Sequence, residues 1–224
     1  MPALKMRRRS GIKPGASGDS GKRVGILGGS FNPAHEGHRH ISVQALERLK
    51  LDEVWWMISP QNPLKDAGEM APLRKRLQRA RAVADHPGIL VTDIEVQLGT
   101  RYTADTIEAL KSRFPGTCFV WLMGADNLCQ ISRWRNWRRV FEAVPIAVFT
   151  RPSYSLRAIS SRAARRFAAH RLSERRAGAL AGARPPAWVF LHVRPHAESA
   201  TRIRAESAEW ASAAMQTAAQ KGDT

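Results

Sequence analysis

Residues 23–38 read RVGILGGSFNPAHEGH, and their pattern is the clearest indication of the fold class. Its first five residues form a short apolar run typical of a buried strand, and a glycine turn follows at once. From residue 38 the sequence HRHISVQALERL carries apolar residues at helical spacing. A strand, a glycine turn and a helix in this order favour phosphate binding, because glycines let the backbone approach an anion and a helix start offers N–H donors.

Strand and helix patterns alternate along the rest of the chain. Apolar runs predict strands over residues 53–59, 90–94, 118–123, 146–150 and 189–193. Helical spacing predicts helices over residues 72–84, 102–114 and 200–214. Such alternation is typical of βαβ units. We therefore expect an α/β fold: a Rossmann-like, doubly wound parallel sheet in a single domain with a C-terminal helical part.

The domain boundaries follow shifts in composition. Residues 1–22 are rich in Gly, Ser, Lys and Arg, which predicts a disordered basic tail, and Met6 is an alternative start to Met1. The folded domain is expected over residues 23–214. Within it, residues 156–184 are Arg- and Ala-rich and predict a helical insertion. Residues 215–224 are expected to be a flexible C-terminus.

The net charge of +17 is concentrated in two segments. Residues 1–23 hold seven Lys or Arg and one Asp, and residues 156–184 hold eight Arg and one Glu. Such charge is compatible with binding RNA, an acidic lipid surface or an acidic partner. The alternative, which we favour, is a solvated tail and a solvated helix face.

The two cysteines, Cys118 and Cys129, lack CxxC spacing, so the sequence predicts neither a disulfide framework nor a zinc site. No apolar run reaches the roughly 20 residues that a membrane span needs. The basic N-terminus leads into no apolar segment of the kind found in secretory signals. These features predict a cytoplasmic protein with no membrane partner.

Two histidines give the glycine turn its chemical interest. His35 and His38 are three residues apart at the predicted helix start, so both imidazoles can be aimed at one point. A histidine that donates a hydrogen bond there could stabilise a phosphate or a leaving pyrophosphate. The dinucleotide GxGxxG and the Walker GK[ST] patterns are absent, and HExxH requires histidines four apart. A zinc pair and two merely solvated side chains remain alternatives at this point.

The stretch GGSFNPAHEGH resembles the first signature of the nucleotidyltransferase superfamily with the (H/T)xGH motif. Residues 198–204, ESATRIR, resemble its second signature, ISSTxIR, although Ala200 replaces the middle serine and Glu198 the first apolar residue. Ala34 stands where the family usually has a second proline. Further motifs resemble the bacterial nicotinate-nucleotide adenylyltransferases: GADN at 124–127, RYTADT at 101–106, FTRP at 149–152, and NPLK at 62–65, where Leu64 replaces a histidine.

The resemblance implies transfer of the adenylyl group of ATP to nicotinate mononucleotide, giving deamido-NAD and pyrophosphate. It implies catalytic roles for His35, His38, Lys65 and Arg204. The ATP-binding residues it implies, besides His35, His38 and Arg204, are Gly28, Gly29, Ser30, Phe31, Gly124, Asp126, Ser199 and Thr201. The acceptor-binding residues it implies are Lys65, Thr103, Asp126, Trp134 and Arg151, with Trp137 as a further stacking candidate. Mg²⁺ is expected to arrive with ATP, held by phosphate and water rather than by protein side chains.

Two rival functions stay open from the sequence. One is an adenylyltransferase that prefers nicotinamide mononucleotide, which differs from the nicotinate form only in carboxamide against carboxylate. The other is a nucleic-acid-binding protein on the same scaffold. Its surface would be the basic segments and the interleaved Arg and Trp residues of 133–139. The oligomeric state does not follow from the sequence.

Overall fold

The computed structural model describes residues 21–60, 70–151 and 154–194, together with residues 200 and 203. The strands are β1 Arg23–Gly29, β2 Glu53–Ile58, β3 Ile89–Thr92, β4 Cys118–Gly124, β5 Ile146–Phe149, β6 Arg171–Leu172 and β7 Trp188–Leu191. The α-helices are α1 Glu36–Arg48, α2 Leu73–Val83, α3 Ile94–Leu98, α4 Thr103–Arg113, α5 Ala125–Gln130, α6 Trp137–Ala143, α7 Ser155–Ile159 and α8 Arg162–Arg166. Segments of 3-10 helix cover Ile131–Arg133, Ala168–His170 and Glu174–Gly182.

The strands form one parallel sheet in the order β3-β2-β1-β4-β5-β7-β6. This confirms the predicted α/β fold. The chain builds one half of the sheet outward from β1 and the other half outward from β4, so the strand order reverses between these two neighbours. In open α/β sheets, ligands bind beyond the carboxyl ends of the strands at such a reversal. The topology therefore places the candidate site beyond Gly29 and Gly124.

Both faces of the sheet are buried, which explains why the strands are continuous apolar runs. Consecutive residues of β2 divide between two core clusters because successive strand side chains point to opposite faces. Trp55 packs edge-on against Phe114 and Phe119 on one face. Trp56 lies on the other face, fully buried, and its indole N–H donates to Ser42 of α1 at 2.7 Å. The two tryptophans thus anchor the helix layers on opposite sides of the sheet.

The structure confirms the predicted strands β1–β5 and β7 and the predicted helices α1, α2 and α4. Helix α1 begins at Glu36, two residues earlier than expected. The sequence patterns missed α3, α5 and α6, which are only five, six and seven residues long. The predicted helix 200–214 lies outside the described residues apart from 200 and 203, as do the tail up to residue 20 and the C-terminus 215–224.

The Arg- and Ala-rich segment 156–184 contains most of α7, all of α8 and two stretches of 3-10 helix. It also supplies β6, a two-residue edge strand that pairs with β7 and that the sequence did not predict. Within the described ranges, no helix is long and apolar enough to span a membrane.

Candidate active site

The turn after β1 is held tightly against the neighbouring strand. A Cβ atom added at Gly28 would lie 2.5 Å from the Trp121 ring of β4, closer than side chains can pack. Phe31, two residues after the strand, has a φ of 46°, which a bulky residue rarely adopts. Its ring is buried and stacks on Trp56 with the centroids 5.2 Å apart. Packing therefore fixes the turn on both sides.

His35 and His38 close the turn through a reciprocal helix cap. The His35 ring accepts a hydrogen bond from the Gly37 N–H at Nδ1 (3.1 Å), and His38 Nδ1 accepts one from the His35 N–H (3.2 Å). The two ring centroids are 3.9 Å apart. The structure thus brings the two predicted imidazoles together. Since each Nδ1 is an acceptor, each neutral ring carries its proton on Nε2.

The pKa of His38 lies well below its ordinary value of 6.5. Desolvation is the largest cause, and electrostatic interactions with His35 and Arg151 add to it. His38 is therefore neutral at physiological pH and can donate one hydrogen bond from Nε2. A bound phosphate would favour the protonated ring, because an opposite charge close by stabilises the charged form.

A second cluster lies across the reversal point, at the ends of β4 and β5. Asp126, in the first turn of α5, pairs with Arg151 just after β5, with Oδ1 and Nε 3.3 Å apart. Both side chains are about one-third exposed. A Cβ at Gly124 would meet both Asp126 Oδ1 and Arg151 Nε, so only glycine leaves this pair its space. Arg151 is among the groups that lower the pKa of His38, so the two clusters are coupled electrostatically.

The RYTADT motif forms the start of α4 and packs against the loop after α5. Thr103 is the first residue of α4 and is partly exposed. The guanidinium of Arg135 lies 4.6 Å from the centre of the Tyr102 ring, which joins this motif to the Arg/Trp-rich loop. Trp134 in that loop is partly exposed and packs against the core.

The buried carboxyl group of Glu95 is hydrogen-bonded to the RYTADT motif, and the sequence did not predict it. Glu95 of α3 is 5% exposed, and its Oε1 accepts a hydrogen bond from the Thr106 hydroxyl at 3.2 Å. Burial raises the pKa of Glu95, and hydrogen bonds from Ser59 and Thr106 oppose that shift. One feature of the sequence could have indicated it: Glu95 directly follows Ile94, the last residue of the predicted strand 90–94.

Trp137 proves to be a core residue rather than a free stacking platform. It is 8% exposed, and its ring packs edge-on against Phe141 and Phe167. A cavity of about 380 Å³ is lined by Trp137, Arg138, Arg162, Arg165 and Arg166. Its cationic lining remains exposed, but the buried indole face is not available to stack a base. Trp137 therefore offers nucleic acid no free stacking surface, and Trp134 is the partly exposed tryptophan of the Arg/Trp run.

Four of the predicted site residues, Lys65, Ser199, Thr201 and Arg204, lie outside the described residues. Their roles stay predictions from the resemblance. Arg76, a buried arginine of α2 beside the turn, was not predicted as a site residue, because it is one of several basic residues in that helix.

The class of protein follows from this crevice together with a family comparison. Residues 26–206 match the model of the cytidylyltransferase-like family, and the chain belongs to that family. A solved structure with a similar fold is the Plasmodium falciparum nicotinic acid mononucleotide adenylyltransferase complexed with NaAD. It has a TM-score of 0.62 and 16% sequence identity, and the match covers 82% of this chain and 83% of that one. At that identity the likeness supports the fold alone.

Curated relatives narrow the class. A probable nicotinate-nucleotide adenylyltransferase of Cereibacter sphaeroides is 53% identical over 182 residues, which cover 81% of this chain and 96% of the relative. A probable nicotinate-nucleotide adenylyltransferase of Methylorubrum extorquens is 51% identical, and the match covers 81% of this chain and 98% of the relative. The corresponding protein of Ruegeria pomeroyi is 48% identical over 202 residues, which cover 90% of this chain and 93% of the relative. The chain is a member of the nicotinate-nucleotide adenylyltransferase family.

Proposed function

We propose that the crevice between the ends of β1 and β4 is where this nicotinate-nucleotide adenylyltransferase joins ATP to nicotinate mononucleotide. The products are deamido-NAD and pyrophosphate, in NAD biosynthesis. The observation that carries the proposal is the His35–His38 pair. The two rings are in contact, and each Nδ1 accepts a hydrogen bond from the backbone of the helix start. Each neutral ring is therefore left with an Nε2 donor beside a glycine turn suited to binding phosphate.

The reaction needs no general base from the protein. A phosphate oxygen of the mononucleotide, already anionic near neutral pH, attacks the α-phosphorus of ATP. The bond from that phosphorus to the oxygen bridging to the β-phosphate breaks, and pyrophosphate leaves with the electron pair. The protein therefore contributes positioning and stabilisation of negative charge.

On the ATP side, the amides of Gly28, Gly29, Ser30 and Phe31 cradle the nucleotide. His38 is neutral before substrate binds, because desolvation lowers its pKa. It donates from Nε2 to a phosphate oxygen and gains positive character as charge develops on the leaving group. Lys65 and Arg204 are the further cations that we expect at this site, with Ser199 and Thr201 on the ATP phosphates.

On the acceptor side, we propose that Asp126, Arg151 and Thr103 bind the mononucleotide, with Lys65 as a further cation. Arg151 is partly exposed and is held by Asp126, so it can offer its remaining guanidinium donors to the acceptor phosphate. Trp134 is the candidate for stacking on the nicotinate ring, since its loop contacts the RYTADT motif through Arg135 and Tyr102.

Mg²⁺ is proposed to enter as a complex with ATP, where it would neutralise phosphate charge. Within the part of the chain that the structure describes, no group of three or more His, Cys, Asp or Glu side chains is arranged to hold a metal. The donors near the turn are ring nitrogens and amides, whereas Mg²⁺ prefers oxygen. Phosphate oxygens and water are therefore its proposed ligands. We also propose that the enzyme acts in the cytoplasm.

The test of the site is His38→Gln in a pyrophosphate-release assay with ATP, Mg²⁺ and nicotinate mononucleotide. We expect kcat to fall at least about 100-fold, since loss of one transition-state hydrogen-bond donor has that effect. His170→Gln, at an exposed histidine far along the chain, is the matched control and should keep wild-type kinetics. A His38→Gln enzyme with a native melting temperature and a near-normal kcat would remove His38 from the mechanism.

A further inference from the structure

Arg76 is the most buried charged side chain beside the turn. It projects from α2, is 1% exposed, and within the described residues its side-chain hydrogen bonds all go to main-chain carbonyl groups. Nε donates to Ala71 O (2.8 Å), Nη1 to both Ser30 O and Ser59 O (2.7 Å each), and Nη2 to Pro60 O (2.9 Å). One guanidinium thus ties the carboxyl ends of β1 and β2 to the start of α2.

The bond to Ser30 O has a directional consequence. In a trans peptide the C=O and the following N–H point in opposite directions. Because Arg76 Nη1 fixes the direction of the Ser30 carbonyl, the Phe31 N–H of the same peptide points the opposite way, away from Arg76. Phe31 sits at a φ of 46°, a conformation that costs energy for a residue with a large side chain. The Arg76 bond therefore helps to hold a peptide that would otherwise relax.

The charge of Arg76 is not neutralised by a carboxylate within the described residues, where its hydrogen bonds all go to carbonyl oxygens. Burial lowers its pKa to about 10, which still leaves it protonated at neutral pH. A hydrogen-bonded charge of this kind is costly to bury, and its partners are all at the turn and its flanks. That placement distinguishes Arg76 from the exposed arginines of the same helix.

We propose that Arg76 is a positioning residue for ATP: through Ser30 O it fixes the Phe31 amide toward the nucleotide phosphates. This rests on the proposed ATP site at the turn. Lysine cannot replace it, because an ammonium group has three donors from one point, whereas Arg76 uses a planar fork to reach four carbonyls.

The test is Arg76→Lys, with Arg79→Lys as the matched control on the exposed side of the same helix. We expect Arg76→Lys to raise KM for ATP about ten-fold or more, the effect of losing one well-placed hydrogen bond to a charged group. KM for nicotinate mononucleotide should change less than about two-fold. Arg79→Lys should leave both constants unchanged. A lowered melting temperature with an unchanged KM for ATP would mean that Arg76 is merely structural and would overturn the proposal.

A measurement on the wild-type enzyme covers the case in which Arg76→Lys does not fold. ATP should slow amide hydrogen exchange at Phe31, followed by NMR, together with exchange at Gly29 and Ser30. Protection of Gly29 and Ser30 without Phe31 would overturn the role of Arg76 and leave the ATP site standing. Protection of none of the three would instead remove the proposed ATP site from this turn.

Discussion

Substitutions at the adjacent glycines Gly28 and Gly29 allow effects on core packing to be distinguished from effects on nucleotide binding. At Gly28 an added Cβ would lie 2.5 Å from Trp121, a core ring that is 3% exposed. At Gly29 the nearest atoms belong to the Phe31 ring at 3.6 and 3.7 Å, which is ordinary contact. Gly28→Ala should therefore strain the core, whereas Gly29→Ala should leave it intact.

The size of the Gly28→Ala effect follows from that contact. Carbon atoms pack at about 3.5 Å or more, so the ring or the strand must move by about 1 Å. Overpacking of this kind costs about 1–3 kcal/mol. For a domain of this size, that loss corresponds to about 2–12 °C in melting temperature. Gly29→Ala should change the unfolding free energy by less than about 0.5 kcal/mol.

Thermal unfolding and steady-state kinetics on both variants are the assays. Gly29→Ala should keep the wild-type melting temperature yet raise KM for ATP about ten-fold, because its methyl group would stand where the nucleotide approaches the backbone. A Gly28→Ala protein as stable as Gly29→Ala would refute the Trp121 packing. An unchanged KM for ATP in Gly29→Ala would refute the close approach of the nucleotide at that residue.

Three further predictions concern other parts of the structure. Gly124→Ala should raise KM for nicotinate mononucleotide, because its Cβ would displace both Asp126 Oδ1, the nearest atom, and the flexible Arg151 side chain, whose Nε lies 2.9 Å away. Both are side-chain ends, so the stability change should be about 1 kcal/mol or less, and equal KM values would argue against a role of this pair in acceptor binding. Partial burial opposes ionisation of Glu174, but hydrogen bonds from His192 and Arg48 lower its pKa to about 2. The ionised carboxylate therefore contributes fully to folding stability above pH 4.5, and this contribution is lost as the pH falls toward 2. Glu174→Gln should thus cost about 1–2 kcal/mol in denaturant titrations at pH 7 and progressively less between pH 4.5 and 2, and a constant difference would contradict this. The lowered pKa of His38 means that the folded state resists its protonation, so stability should fall as pH drops below about 6.5, and His38→Gln should show a shallower fall over the same range.

The sequence predicted the parts of the fold that depend on local patterns. Continuous apolar runs marked β1–β5 and β7, because strands covered by helices on both faces need apolar side chains throughout. The turn and the two histidines were predictable because glycines, helix start and imidazoles are adjacent in the chain. Strand β6 was not, since two residues carry no pattern, and its pairing with β7 depends on contacts made in three dimensions.

Arg76 illustrates what local pattern cannot supply. Helix α2 reads LRKRLQRARAV, and its basic residues suggest a solvated face. Yet Arg76 lies on the same stripe as Leu77, Ala80 and Val83, which are buried. The stripe was a usable signal that this one arginine points inward. Its four carbonyl partners belong to three separate segments, however, so only the folded chain identifies what it holds. Trp137 is the converse case, a predicted ligand-stacking candidate that the fold buries.

Pyrophosphate release by the purified enzyme with ATP and Mg²⁺ measures the proposed activity itself. Nicotinate mononucleotide and nicotinamide mononucleotide should be compared as acceptors under identical conditions. We expect turnover with nicotinate mononucleotide, formation of deamido-NAD and pyrophosphate in equal amounts, and a kcat/KM at least about ten-fold lower with nicotinamide mononucleotide. A preference for nicotinamide mononucleotide, or no turnover with either acceptor, would contradict the proposed function.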